Sequence, residues 1–199
     1  MELTLIVMRH GQTSADLENR HEGRADNPLT DLGEKQVKAS IEKLTEDYKL
    51  DRIYTSPLKR AKKTAEFLQL KTKAPLIEDV LLMEWDNGKL AGMDREEADR
   101  VYPLPSGGRR QHHEFADSES GIYFRARAET FLSNLLEDQE GKTETIVIVS
   151  HGGFIQMLFR SVFQLPFETN HFISTGDGGY HVWVIKENKR TQKELFPGH

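Results

Sequence analysis

Cysteine is absent from the 199 residues of this chain. That excludes disulfides, thiolate metal sites and thiol nucleophiles together. It fits a cytoplasmic location without requiring one. Long apolar runs are also missing. Residues 3–8 are too short for the core of a signal peptide, lack a basic leader and end in Arg9. No stretch reaches the roughly 20 apolar residues of a membrane-spanning helix. Positive charge is in deficit, with 27 Lys and Arg against 32 Asp and Glu and a net charge of −5. Broad binding to nucleic acid or to an anionic membrane is therefore not expected, and an anionic ligand would need a local cationic pocket. There is no internal repeat and no low-complexity linker. The balance of 37% hydrophobic and 30% charged residues is that of a globular protein. The length suits one domain over residues 1–199 with a full core.

Against that background, one segment stands out. The apolar run Leu3-Thr4-Leu5-Ile6-Val7-Met8 leads directly into Arg9-His10-Gly11-Gln12-Thr13. A buried strand would deliver an imidazole and a guanidinium to the end of a sheet. A second run, Thr145-Ile146-Val147-Ile148-Val149-Ser150, ends the same way, in His151-Gly152-Gly153. Between them strands and helices alternate. Thr30 reads as an N-cap with Glu34 completing a capping box, followed by a helix to about Tyr48. Residues 52–55 read as a strand, and Pro57 as the first turn of the next helix. Leu76-Ile77 suggests another strand, 84–92 a loop and 94–101 a short helix. A long helix carries Phe124, Ala128, Phe131, Leu132 and Leu135 on one face, and Phe154 to Phe159 fit another. Residues 171–186 read as strand with a turn near Gly176 to Gly179, and the polar tail 187–199 as fraying. The alternation predicts an α/β fold: three layers, with a mainly parallel central sheet and helices on both faces. In such folds the site lies beyond the carboxyl ends of the strands, where both histidines are placed.

Three further segments sit at strand-to-loop transitions: Ser56-Pro57-Leu58-Lys59-Arg60-Ala61, Glu84-Trp85-Asp86, and Gly23-Arg24-Ala25-Asp26-Asn27-Pro28-Leu29-Thr30. Singly each is an ordinary turn, cap or polar loop. In this order, with the two histidine segments, they resemble the motifs of the histidine phosphatase superfamily, the branch of phosphoglycerate mutases and small broad phosphatases. The resemblance runs from residue 3 to about 160 and implies the phosphoglycerate mutase-like fold.

It also implies roles. His10 is the expected nucleophile, forming a phosphohistidine, because a neutral imidazole is available near pH 7. One ring nitrogen must be free while the other donates a hydrogen bond that fixes the tautomer. Arg9, Arg60 and His151 would surround the phosphoryl oxygens as fixed cationic donors, and the arginines offer bidentate geometry that lysine lacks. Glu84 would protonate the leaving oxygen and then activate water. Thr13 and Gly152 complete the phosphate cradle, and Glu22 and Gly23 lie near the substrate. Asp16 departs from the pattern, which often has asparagine there. It would turn away, pair with an arginine or bind a substrate hydroxyl.

The expected activity is metal-independent hydrolysis of a phosphomonoester, on a small phosphorylated metabolite and without a cofactor. A phosphoglycerate mutase is the alternative. It is disfavoured because Lys89 to Arg95 lacks the Arg-His-Tyr-Gly-type segment of mutases. A non-catalytic phosphate-binding relative is a further alternative. Residues 103–118 form an irregular excursion with a basic cluster at Gly107 to His113. Either it is a solvated loop, or it is a lid that brings Arg109 and Arg110 over the pocket. The sequence carries no signal of oligomeric state.

Overall fold

The first apolar run is apolar on both faces because both faces are covered. In the computed structural model, which describes residues 2–187 and 189–198, this run is strand β1, Glu2–Arg9. Leu3, Leu5 and Val7 pack into one core, and Ile6 and Met8 into another on the opposite face. Each such fully buried leucine contributes roughly 1.5–3 kcal/mol. The other strands are β2 Arg52–Thr55, β3 Leu76–Glu78, β4 Thr143–Ser150, β5 Tyr180–Lys186 and β6 Lys189–Phe196. The helices are α1 Ser14–Leu17, α2 Asp31–Asp47, α3 Lys59–Thr72, α4 Arg95–Val101, α5 Gly121–Asp138 and α6 Gly152–Val162.

The sheet order is β3-β2-β4-β1-β5-β6. β1, β4, β2 and β3 pair in parallel, while β5 and β6 run antiparallel on the β1 side. The mainly parallel sheet with helices on both faces is therefore present, with an antiparallel extension that makes it mixed. Phe124, Phe131, Phe154 and Leu158 of α5 and α6 pack on one face. Val37, Ile41, Leu44, Ala61, Ala65 and Leu68 of α2 and α3 pack on the other. Neighbouring strands β1 and β4 thus lead to helices on opposite faces. Their carboxyl ends diverge into a crevice, the topological switch point of the sheet. Arg9 lies in register with Ser150, so His10 and His151 emerge side by side.

Local signals account for most boundaries, with four corrections. Thr30 caps α2 by accepting from Gly33 N at 2.9 Å. Glu34 does not complete a capping box: Gly33 holds the third helical position that the box requires, and the Glu34 carboxylate pairs with Lys38 one turn on, at 2.9 Å. Pro57 precedes its helix. Leu58 is the N-cap, and Asp26 satisfies the first helical amide, Lys59 N, at 2.7 Å. Residues 171–179 are loop rather than strand, closed by a turn in which Gly179 N donates to Gly176 O at 2.9 Å. The polar tail does not fray: β6 pairs with β5 along its length, and Phe196 stacks on Tyr180 at 5.1 Å. Asn188 and His199 of that tail lie outside the described residues. Among the described residues no helix is long and apolar enough to cross a membrane.

Candidate active site

The loop after β1 turns tightly against the start of α2. A Cβ on Gly11 would lie 2.3 Å from Gly33 O, so only glycine permits that approach. The turn puts the Gly11 carbonyl 2.8 Å from Nδ1 of His10. Arg60 Nε lies 3.2 Å from the other ring nitrogen, Nε2. A guanidinium only donates, so Nε2 is the acceptor and Nδ1 carries the hydrogen, donated to Gly11 O. His10 is therefore held as one tautomer with its basic lone pair at Nε2. Burial is the main force holding it well below the ordinary imidazole range, reinforced by Arg60 and Arg9.

His151 stands beside it, with ring centroids 5.1 Å apart. Its Nε2 is hydrogen-bonded to Ser56 Oγ at 2.9 Å, which ties the end of β4 to the end of β2. Its Nδ1 is buried without a partner among the described residues. His151 too is held far below its usual range by burial, then by Arg60.

Arg60 is fully buried near the start of α3. It donates through Nη1 to Ala25 O at 2.9 Å and through Nη2 to Gly23 O at 2.7 Å. Two backbone carbonyls thus fix the fork while Nε points at His10. Arg9 is held by Thr175 O at 2.9 Å and by Asp177 at 3.2 Å.

Glu84 arrives on the loop after β3. Gly153 N donates to its Oε2 at 2.9 Å and Trp85 N to its Oε1 at 2.8 Å. A Cβ on Gly153 would come within 2.5 Å of Oε1, so this glycine makes room for the carboxylate. The loop is clamped from behind by Arg127 of α5. Arg127 donates to the carbonyls of Leu81 at 2.7 Å, Met83 at 2.9 Å and Glu84 at 3.2 Å, and pairs with Glu119 at 2.6 Å. Ser150 adds a tie from β4 by donating to Leu82 O at 2.7 Å.

A cavity of about 470 Å³ opens here. Arg9, Asp16, Glu22, Gly23, Glu84 and Gly152 line it, together with Gly153 at the amino end of α6. A helix amino end favours an anion. His10, Arg60, His151 and Thr13 lie buried rather than on its wall. Asp16 folds back to accept from Thr13 N at 2.8 Å, completing the capping box of α1. Arg109 and Arg110 are not on the wall, and the Arg109 guanidinium lies 4.6 Å from the Phe115 ring centroid.

Other wall residues were not singled out from sequence. His21, Asn87 and Arg95 supply polar groups, and Phe124, Met157 and Phe172 an apolar surface, with Gln156 between them in character. Phe124 read as core of its helix, and Phe172 gave no signal until it stood 74% exposed. Among the described residues no three His, Asp or Glu side chains are grouped to hold a metal ion.

Comparison with known proteins gives concordant results. Residues 5–196 match the model of the histidine phosphatase superfamily (branch 1). Phosphoglycerate mutase-like protein 4 of Arabidopsis thaliana is 32% identical over 170 residues, covering 78% of this chain and 69% of the relative. A glucosyl-3-phosphoglycerate phosphatase of Mycolicibacterium vanbaalenii is 31% identical over 187 residues, covering 90% and 82%. The α-ribazole phosphatase of Shigella flexneri superposes with a TM-score of 0.86 at 26% identity, covering 98% and 96%.

Proposed function

The chain belongs to the histidine phosphatase superfamily, branch 1, and on that premise we propose that it hydrolyses a small phosphomonoester through a phosphohistidine on Nε2 of His10. The observation that carries this reading is the fixed tautomer. Nδ1–H is committed to Gly11 O at 2.8 Å, so the lone pair available for attack is at Nε2. As phosphate arrives, Arg60 Nε shifts its donation from Nε2 to a phosphoryl oxygen. Arg9 and His151 supply the remaining donors, and Gly152 contributes the amino end of α6. Charge developing on the transferring group is met by donors already in place, so little reorganisation is needed.

The first step forms the Nε2–P bond and breaks the P–O bond to the alcohol, whose oxygen takes the proton of Glu84. In the second, Glu84 takes a proton from water as that water attacks phosphorus, and free His10 and phosphate result. No metal or cofactor takes part. Thr13 and Asp16 shape the turn, and the carbonyl of Gly23 anchors Arg60 at the cavity wall.

The leaving alcohol occupies the rest of the cavity. Its wall pairs an apolar side, Trp85, Phe124, Met157 and Phe172, with Arg95 and His21. That supports a small metabolite with both an apolar surface and a polar or anionic end. Relatives named for glucosyl-3-phosphoglycerate and α-ribazole support the same broad class.

The test is Glu84→Gln in single turnover. Phosphoenzyme formation from an alkyl phosphate is expected to slow by about a hundredfold or more, and from para-nitrophenyl phosphate by far less, because a good leaving group needs little protonation. Equal losses for both would remove Glu84 from the acid role.

A further inference from the structure

Glu22 is the carboxylate nearest the attacking atom, and the scheme above does not use it. Its Oε2 lies 3.9 Å from His10 Nε2 and its Oε1 3.7 Å from Arg60 Nε. A phosphoryl group bonded to Nε2 would carry its oxygens closer to that nitrogen than the 3.9 Å of the Glu22 contact, within hydrogen-bond reach of the carboxyl group. His10 is only 1% exposed, while Glu22 is on the cavity wall. The carboxylate thus stands at the entrance to the nucleophile.

Its hydrogen bonds point the same way. Thr13 Oγ1 is 2.6 Å from Glu22 Oε1 and 3.0 Å from Asp16 Oδ2. A hydroxyl has one hydrogen to give. Two ionised carboxylates cannot both receive it, so the cluster is one proton short of satisfying both contacts. Asp16 also accepts from Thr13 N at 2.8 Å, which favours its ionised form. Glu22 has no such backbone donor among the described hydrogen bonds, so it is the member suited to take a proton.

The charged groups facing Glu22 are Arg9 and His10 from β1 and the turn after it, Asp16 from α1, and Arg60 from α3. Burial raises its pKa and Asp16 raises it further, while Arg60, the Thr13 hydroxyl and Arg9 oppose. A phosphate dianion would engage both arginines and add negative charge beside the carboxylate. Both changes shift the balance toward the protonated form.

We propose that this site binds phosphate together with one proton from solvent, carried by Glu22, whose carboxyl group then donates a hydrogen bond to a phosphoryl oxygen. Glu22 thereby becomes a substrate-touching catalytic residue, and its protonation opens the way to His10. The inference rests on the phosphohistidine reading of the site. It makes substrate capture weaken with rising pH for a reason separate from the acid role of Glu84.

Tungstate tests this, because it is a dianion that does not titrate near neutral pH. Titration calorimetry at pH 8 in two buffers of different ionisation enthalpy counts the protons taken up. The wild type is expected to take up close to one proton per site. Its affinity should fall by up to about tenfold per pH unit where Glu22 is ionised. Glu22→Gln should abolish the uptake, flatten the pH dependence and bind more tightly than wild type at alkaline pH. Glu84→Gln should keep the uptake. Wild-type uptake near zero overturns the proposal without any variant. Uptake retained in Glu22→Gln, or lost in Glu84→Gln, overturns it by assigning the proton elsewhere. Phosphohistidine formation is measured alongside. If it occurs without proton uptake, only this inference fails; if it does not occur, the reading beneath it fails.

Discussion

Arg127 predicts a coupled loss of stability and activity. Replacing it by methionine keeps much of the stem volume and removes the guanidinium. Glu119, 6% exposed in its side chain, then loses its main partner. Among the described residues it keeps Asp86 N at 2.8 Å and Arg24 at 3.8 Å. Removing one partner of a buried ion pair costs about 3–5 kcal/mol, mostly from the charge left behind. Three carbonyls, of Leu81, Met83 and Glu84, also lose a donor. Those losses share one side chain and do not add to the first in full. A total of about 3–5 kcal/mol is therefore expected, or roughly 6–20 °C in Tm at 2–4 °C per kcal/mol. Urea unfolding measures the first and calorimetry the second. Because the same guanidinium holds the loop carrying Glu84, kcat should fall in variant protein that is still folded. The double variant Arg127→Met, Glu119→Gln should regain at least about 1 kcal/mol, since no buried charge is stranded. A loss below about 1 kcal/mol with kcat unchanged would refute the clamp.

Two other outcomes follow from the geometry. Gly153→Ala puts a Cβ 2.5 Å from Glu84 Oε1. Near the start of α6 alanine gains up to about 1 kcal/mol of helix propensity over glycine, so Tm should hold or rise while kcat drops; unchanged kcat would remove the contact from the mechanism. For pH, burial holds His10 and His151 well below the ordinary imidazole value of 6.5. The unfolded chain protonates them near that value while the folded one does not, so stability is kept above it and lost as pH falls below it. The slope is up to about 1.4 kcal/mol per unit for each histidine. Glu22, shifted upward, offsets part of it. Equal unfolding free energies at pH 7.5 and 5.5 would contradict two neutral buried imidazoles.

The parts of this molecule legible in the sequence are those set by burial and by local caps. β1 and β4 were readable because both faces are covered, which leaves continuous apolar runs ending in Arg9-His10 and Ser150-His151. α2 and α5 were readable from Thr30 and from the stripe Phe124 to Leu135. β6 was not, because an edge strand is defined by its ladder to β5, and the polar side chains from Lys189 to Glu194 read as tail. Arg127 escaped for a related reason: the carbonyls it holds lie 43 to 46 residues away on the Glu84 loop, and nothing local distinguishes it from Arg125. At the site, the residues bearing chemistry were found through their turns. The wall residues His21, Arg95, Met157 and Phe172 were not, since only the fold brings these separate segments to one cavity. Asp16 shows how a departure resolves: the carboxylate serves the Thr13 cap, a role visible only with the backbone in place.

The central claim is a covalent phosphate on His10, and the direct measurement is trapping it. Protein mixed with para-nitrophenyl phosphate and quenched in alkali within the first turnover should carry a phosphate that survives base and is lost in mild acid, the behaviour of a phosphohistidine. Peptide mapping should place it on the segment containing His10. His10→Ala should show neither the label nor more than about a hundredth of wild-type turnover. A base-stable label on another residue, or turnover by His10→Ala near the wild-type rate, would contradict the account.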